Sequence, residues 1–192
     1  HGRWRIQPRL NAYVRAANPG DVRRTYRSGC PVGPSSLRVI EMNYLDYEGR
    51  VARGMMIVRD DTVDRILRAF QVGATGSFPI AQMVNPDVYN GDDPAQMRAN
   101  NTSAFNCRSV VGNPYAQSPH SYGRAIDVNT VQNPYFDGRT WWPENGTRWI
   151  DRGLRDRGML FANDPLTSGM TNNGFFWGGN WTNRDYQHFQ VN

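Results

Sequence analysis

The chain has 192 residues, 39% of them hydrophobic and 12% aromatic, which suits one domain with a buried core. Its formal charge is +5 and all 22 basic residues are arginine, so Schiff-base lysine chemistry is excluded. No apolar run is long enough to span a membrane and no leader-type segment opens the chain, so a soluble, mature protein is expected. The arginines occur singly or in pairs among aspartates, as in "GDVRRTYR" and "DRGLRDRG". They do not form the basic stripe of a nucleic-acid binder.

Residues 1–34, rich in Arg, Pro and Gly, predict an irregular arm with at most one short helix, followed by a domain over 35–192. "LRVIEMNYLD" and "VARGMMIV", separated by "YEGR", predict a hairpin. In "DDTVDRILRAFQVG" the acidic start, apolar Val63, Ile66, Leu67 and Phe70 at helical spacing, and closing Gly73 predict a helix. "FPIAQMV" reads as a strand, "DPAQMRAN" as a short helix, and "SAFNCRSVV" and "GRAIDVN" as strands. "NGFFWGGNW" and "DYQHFQV" read as closing strands around a Gly-Gly turn. Strands with few helices and no regular βα alternation predict an α+β fold, with a mostly antiparallel central sheet and helices packed on one side.

Two cysteines, Cys30 and Cys107, are too few for a cysteine-based zinc site. They either pair, closing a large loop worth on the order of 4 kcal/mol, or remain as two buried thiols. The three histidines are His1, His120 and His188. His120 precedes Asp127 in "SPHSYGRAIDVN", and His188 follows Asp185 in "DYQHF". A catalytic zinc needs three protein N/O ligands, an open position for water and a base near that water. His120, Asp127 and His188 supply the ligands, and Asp185 remains as the base. An offset of seven places side chains on opposite faces of a straight strand, so a bend at Gly123 is required for His120 and Asp127 to meet. Asp185 and His188 must likewise straddle a turn or a strand entry.

"SPHSYGRAID", followed about sixty residues later by "DYQHF", resembles the SxHxxGxAxD and (D/E)xxH motifs of the M15 zinc peptidases. That group includes D-alanyl-D-alanine carboxypeptidases, VanX-type dipeptidases and L-alanyl-D-glutamate endopeptidases. Ser118, His120, Gly123, Ala125 and Asp127 match the first motif, and Asp185 and His188 the second. "NTSAFNCR" resembles the family segment that carries an arginine, here Arg108. The likeness runs over roughly residues 35–190, and Asp at position 185 is more like the endopeptidase and phage-lysin branch.

The resemblance implies the hedgehog/D-Ala-D-Ala-peptidase type of fold. It also implies Zn2+ held by His120, Asp127 and His188, Asp185 as general base, and Arg108 facing the oxygen that becomes negative. The implied substrate is a peptidoglycan stem peptide containing D-amino acids, cut by a secreted or wall-associated, monomeric bacterial hydrolase. The positive charge suits such an anionic wall polymer. Ser118 is either a substrate ligand or a turn residue, and Trp177, Trp181 and Tyr186 are candidates for a substrate wall. The same fold also serves as a non-catalytic zinc-containing binding module, which is the alternative reading. A copper site built on His1 would need a second uncommitted histidine, so His1 is read as a tag remnant or processing scar.

Overall fold

A computed structural model describes residues 8–192. The readings made for His1 lie outside the described residues. Antiparallel strands and helices give the expected α+β class, and the strands divide between two three-stranded sheets and two small hairpins.

The first sheet has the order β1 (Tyr13–Ala16), β2 (Leu37–Leu45), β3 (Val51–Arg59), all antiparallel. β2 and β3 are the expected hairpin. Its alternation feeds two cores, because successive side chains leave opposite faces. Ile40, Met42, Met56 and Val58 pack toward α1 (Val63–Thr75) and α3 (Pro165–Asn172). Leu37, Val39 and Ile57 pack on the other face with Val22, Val32 and Phe105. A sheet buried on both faces accounts for the nearly continuous apolar reading of "LRVIEM".

The predicted helix is α1, which runs past Gly73 to Thr75. Gly73 is a contact residue rather than a stop: a Cβ there would lie 3.0 Å from Leu166 Cδ1 on α3, so the two helices pack closely at that point. The expected short helix is α2 (Asp93–Arg98), capped by Asp92, whose side chain accepts from Ala95 N.

Three sequence expectations are corrected. The arm is not irregular throughout, because β1 joins the edge of the first sheet. "FPIAQMV" forms no strand; its backbone bonds are scattered over Leu45 O, Met55 N and the Asn129 side chain, so no ladder can propagate. "SAFNCRSVV" is a strand only at β4 (Ser109–Val110), which pairs with β5 (Asn113–Gln117). Upstream, Ser103, Phe105 and Cys107 bond in turn to Asp127, to Ile57 on β3 and to Thr25 in the arm. That segment is extended, but it stitches three neighbours instead of extending one sheet.

The second sheet has the order β6 (Ala125–Asp127), β10 (His188–Gln190), β9 (Phe176–Trp177), again antiparallel. β7 (Tyr135–Phe136) and β8 (Trp141–Trp142) form the remaining hairpin. Ile126 and Phe189 carry the second sheet into the main core.

Cys30 and Cys107 form a disulfide across a sequence separation of 77. It ties the arm to the residue preceding Arg108. Replacing both cysteines with alanine is expected to lower unfolding free energy by about 4 kcal/mol in a urea titration, with the native far-UV circular dichroism retained.

Candidate metal centre and active site

His120, Asp127 and His188 converge. His120 sits in a single 3-10 turn, Pro119–Tyr122, capped by Ser118, whose Oγ accepts from His120 N at 3.2 Å. Gly123 ends the turn at φ +71°, and a Cβ there would lie 2.8 Å from Arg59 N, so both conformation and space call for glycine. This is the required bend, and β6 begins two residues later. Asp127 lies directly opposite His188 in the β6–β10 register, so the two side chains share one face. The imidazole centroids are 5.1 Å apart.

His120 Nε2 lies 3.0 Å from Asp127 Oδ2, and His188 Nδ1 lies 3.2 Å from Asp127 Oδ1. Two ligands held at about 2.0–2.1 Å from one tetrahedral ion stand roughly 3.3 Å apart, close to both spacings. All three residues are buried. The second ring nitrogens are already committed: His120 Nδ1–H donates to Ala104 O at 2.7 Å, and His188 Nε2–H donates to Gln190 Oε1 at 2.8 Å. These partners leave His120 Nε2 and His188 Nδ1 with lone pairs facing the carboxylate, the arrangement of an oriented metal ligand. His120 Nε2 is buried without any hydrogen-bond partner. Lone pairs facing a carboxylate at this range repel unless a cation lies between them, so the donor set fits a divalent ion. Burial alone would raise Asp127, but with the imidazoles protonated the charge and hydrogen bonds of His120 and His188 outweigh it and hold the carboxyl well below its usual range, and a bound cation in their place acts in the same sense.

Asp185 lies in the turn that enters β10, where His188 N donates to Asp185 O at 3.3 Å. Its Oδ2 is 3.9 Å from His188 Nδ1, and its Oδ1 is buried with no partner. Burial, only partly offset by the neighbouring His188, pushes this carboxyl up to about 8. Arg108 stands at the base of the β4–β5 hairpin, where Arg108 O accepts from Ser118 N at 2.9 Å. His120, Asp127, His188, Asp185 and Arg108 line one cleft of about 230 Å³.

The other candidates separate. Ser118 lines the cleft, and its hydroxyl acts as the turn cap already described. Trp181 also lines it, with its ring 5.3 Å from that of His188. Trp177 lies in the core and donates from Nε1 to Tyr186 O. Tyr186 packs at the edge of that core, stacked on Trp141 and beneath the Arg152 guanidinium. Neither Trp177 nor Tyr186 lines the cleft.

Sequence reasoning missed Gln190, Ala104 and Asp93. Gln190 carried a usable signal, since a residue two positions after a strand histidine shares its face. Ala104 acts through its backbone carbonyl, and Asp93 reaches the cleft from α2. Neither carried a local signal.

Antiparallel strands thus bring together a buried His/Asp/His cluster that could hold a metal ion, with the Asp185 carboxyl beside it. Residues 111–191 match the family model described as D-alanyl-D-alanine carboxypeptidase, which supports the resemblance to the M15 peptidases over that segment. The match contains the three cluster residues and Asp185 and begins just after Arg108. No curated protein and no solved structure matches the chain.

His120→Ala and His188→Ala are each expected to lose the bound ion after dialysis against zinc followed by buffer, while the parent chain retains about one ion per molecule. Elemental analysis of the dialysed samples checks this. Retention of one tightly held ion by both variants would remove the cluster from that role.

Proposed function

We propose that the protein is a secreted, zinc-dependent peptidase that hydrolyses peptidoglycan stem peptides containing D-amino acids. The observation that carries this reading is the buried, unpartnered Asp185 Oδ1 beside a His/Asp/His set whose free nitrogens face inward. The disulfide supports an oxidising, extracytoplasmic location. Among the described residues no helix is long and apolar enough to cross a membrane.

His120, Asp127 and His188 would hold the ion. When bound, zinc supplies Lewis acidity, polarising a carbonyl and making water nucleophilic near neutral pH. The chain's own residues perform the remaining tasks. Ala104 O and Gln190 fix the two imidazoles so that ligand geometry is set before substrate arrives. Asp185 accepts the proton of the attacking water and returns it to the leaving amine, a task suited to a cleft carboxyl with an unpartnered Oδ1. Arg108 donates to the carbonyl oxygen as its negative charge develops, a role favoured by a planar guanidinium that stays charged. Trp181 forms an apolar wall for the peptide.

The test is a digest of purified peptidoglycan and of a synthetic pentapeptide with an L-Ala–D-Glu bond and a D-Ala–D-Ala end, with products read by mass. Cleavage abolished by chelator and restored by zinc is expected. Folded, zinc-loaded protein that cuts neither substrate would leave the non-catalytic binding module as the better account.

Asp185→Ala is expected to keep fold and zinc and to lower kcat by about 10²–10⁴-fold. Near-parental turnover in that variant would exclude Asp185 as the base.

A further inference from the structure

Arg108 does not stand alone in the cleft. Its Nη2 lies 3.0 Å from Asp93 Oδ2, and the Asp93 side chain is only 4% exposed. Its Nη1 donates to Ser109 O at 3.0 Å, while Nε is buried with no partner. Asp93 Oδ1 in turn accepts from Gln96 Nε2 at 2.6 Å. Gln96 Oε1 accepts from Asn101 Nδ2 at 3.0 Å and from Ser103 Oγ at 2.9 Å. Ser103 pairs through its backbone with Asp127. An ion pair from the guanidinium to Asp93, continued by hydrogen bonds, therefore reaches the backbone of a cluster residue, with both Asp93 oxygens used.

We infer that Asp93 is a positioning residue for the reaction: its buried carboxylate fixes the Arg108 guanidinium at the cleft wall and so sets the direction in which its remaining Nη hydrogens can meet a substrate oxygen. The inference rests on the oxyanion role proposed for Arg108. The physical need is clear. A guanidinium sharing a cleft with a divalent cation is repelled by it, and a long side chain can relieve that repulsion by swinging out into solvent. A buried carboxylate behind it opposes the motion and sets the direction of the remaining N–H groups. The backbone of Arg108 is held as well: Arg108 N donates to Ser121 Oγ, and the Cys30–Cys107 disulfide anchors the preceding residue. Backbone clasp and carboxylate together fix the group that must not move when charge develops.

A purely structural role for Asp93, tying α2 to residues 101–103, predicts different behaviour, and a double-mutant cycle separates the two. The synthetic pentapeptide is the probe, with kcat and KM measured for the parent, Asp93→Asn, Asp93→Glu, Arg108→Ala and the Asp93→Asn/Arg108→Ala pair, all with zinc content determined. Arg108→Ala is expected to lower kcat by about 10²–10³-fold. Asp93→Asn is expected to lower kcat at least about tenfold with KM little changed, Asp93→Glu to recover part of that loss, and the pair to match Arg108→Ala alone. Additive losses in the pair would assign Asp93 to structure and overturn the inference. Normal turnover in Asp93→Asn with depressed turnover in Arg108→Ala would overturn it while sparing Arg108. Normal turnover in Arg108→Ala would remove the oxyanion role beneath it.

A readout independent of turnover is guanidinium NMR, assigned with Arg108→Ala. Slow rotation with distinct Nη signals for Arg108 is expected in the parent and averaged signals in Asp93→Asn. Averaged signals already present in the parent would also overturn the inference.

Discussion

The site depends on one register. β6 and β10 pair so that Asp127 faces His188, Ile126 faces Phe189 and Ala125 faces Gln190. Strand side chains alternate with a period of two, so a slip of one residue would turn His188 to the other face and bring Phe189 to the cleft. The apolar partners resist that slip. Ile126 and Phe189 are fully buried in the main core, and exposing either would forfeit roughly 1.5–3 kcal/mol of burial. Val128 N bonding to Gln187 O extends the same register one step further. The polar site is thus aligned by hydrophobic packing on the reverse of the same two strands.

Around that register the protein concentrates negative charge in a place with little water. Asp127, Asp185 and Asp93 all line the cleft, and Arg108 is the cation in direct contact, through Asp93. Buried carboxylates persist when each has a defined counterpart. Asp93 has Arg108 and Gln96; Asp127 has two imidazoles; Asp185 keeps an oxygen with none. Carboxyl groups at the same cleft are driven in opposite directions, Asp127 downward and Asp185 upward, by partner and by burial respectively. That separation suits the roles proposed for them, one holding a cation and the other handling a proton.

The segment from 103 to 108 links these features to the rest of the molecule. It lies between the two three-stranded sheets, supplies Ala104 O to His120, passes Phe105 to the second core, and ends on the disulfide and Arg108. Stability and site geometry are coupled through it, because the backbone bonds that join the sheets also orient a candidate ligand and the candidate oxyanion donor.

The sequence by itself determined the class of fold, the β2–β3 hairpin, α1, α2 and which residues meet in the His120, Asp127 and His188 cluster. Each has a local cause: side-chain period, turn chemistry around "YEGR", acidic residues at the start of α1, and the scarcity of histidine, which left His120 and His188 as the histidines within the domain. Gly123 was legible for the same reason, since a bend between His120 and Asp127 could be required from spacing alone. Tertiary structure decided the remainder. The arm became an edge strand because β2 offered an open edge, and "FPIAQMV" stayed out of a ladder because its partners are scattered. Trp177 went to the core while Trp181, four residues on, reached the cleft. Asp93 met Arg108 across elements that no short pattern connects. Local sequence encodes period and bend, but which distant groups share a buried space depends on how sheets and loops pack, and packing is a property of the whole chain.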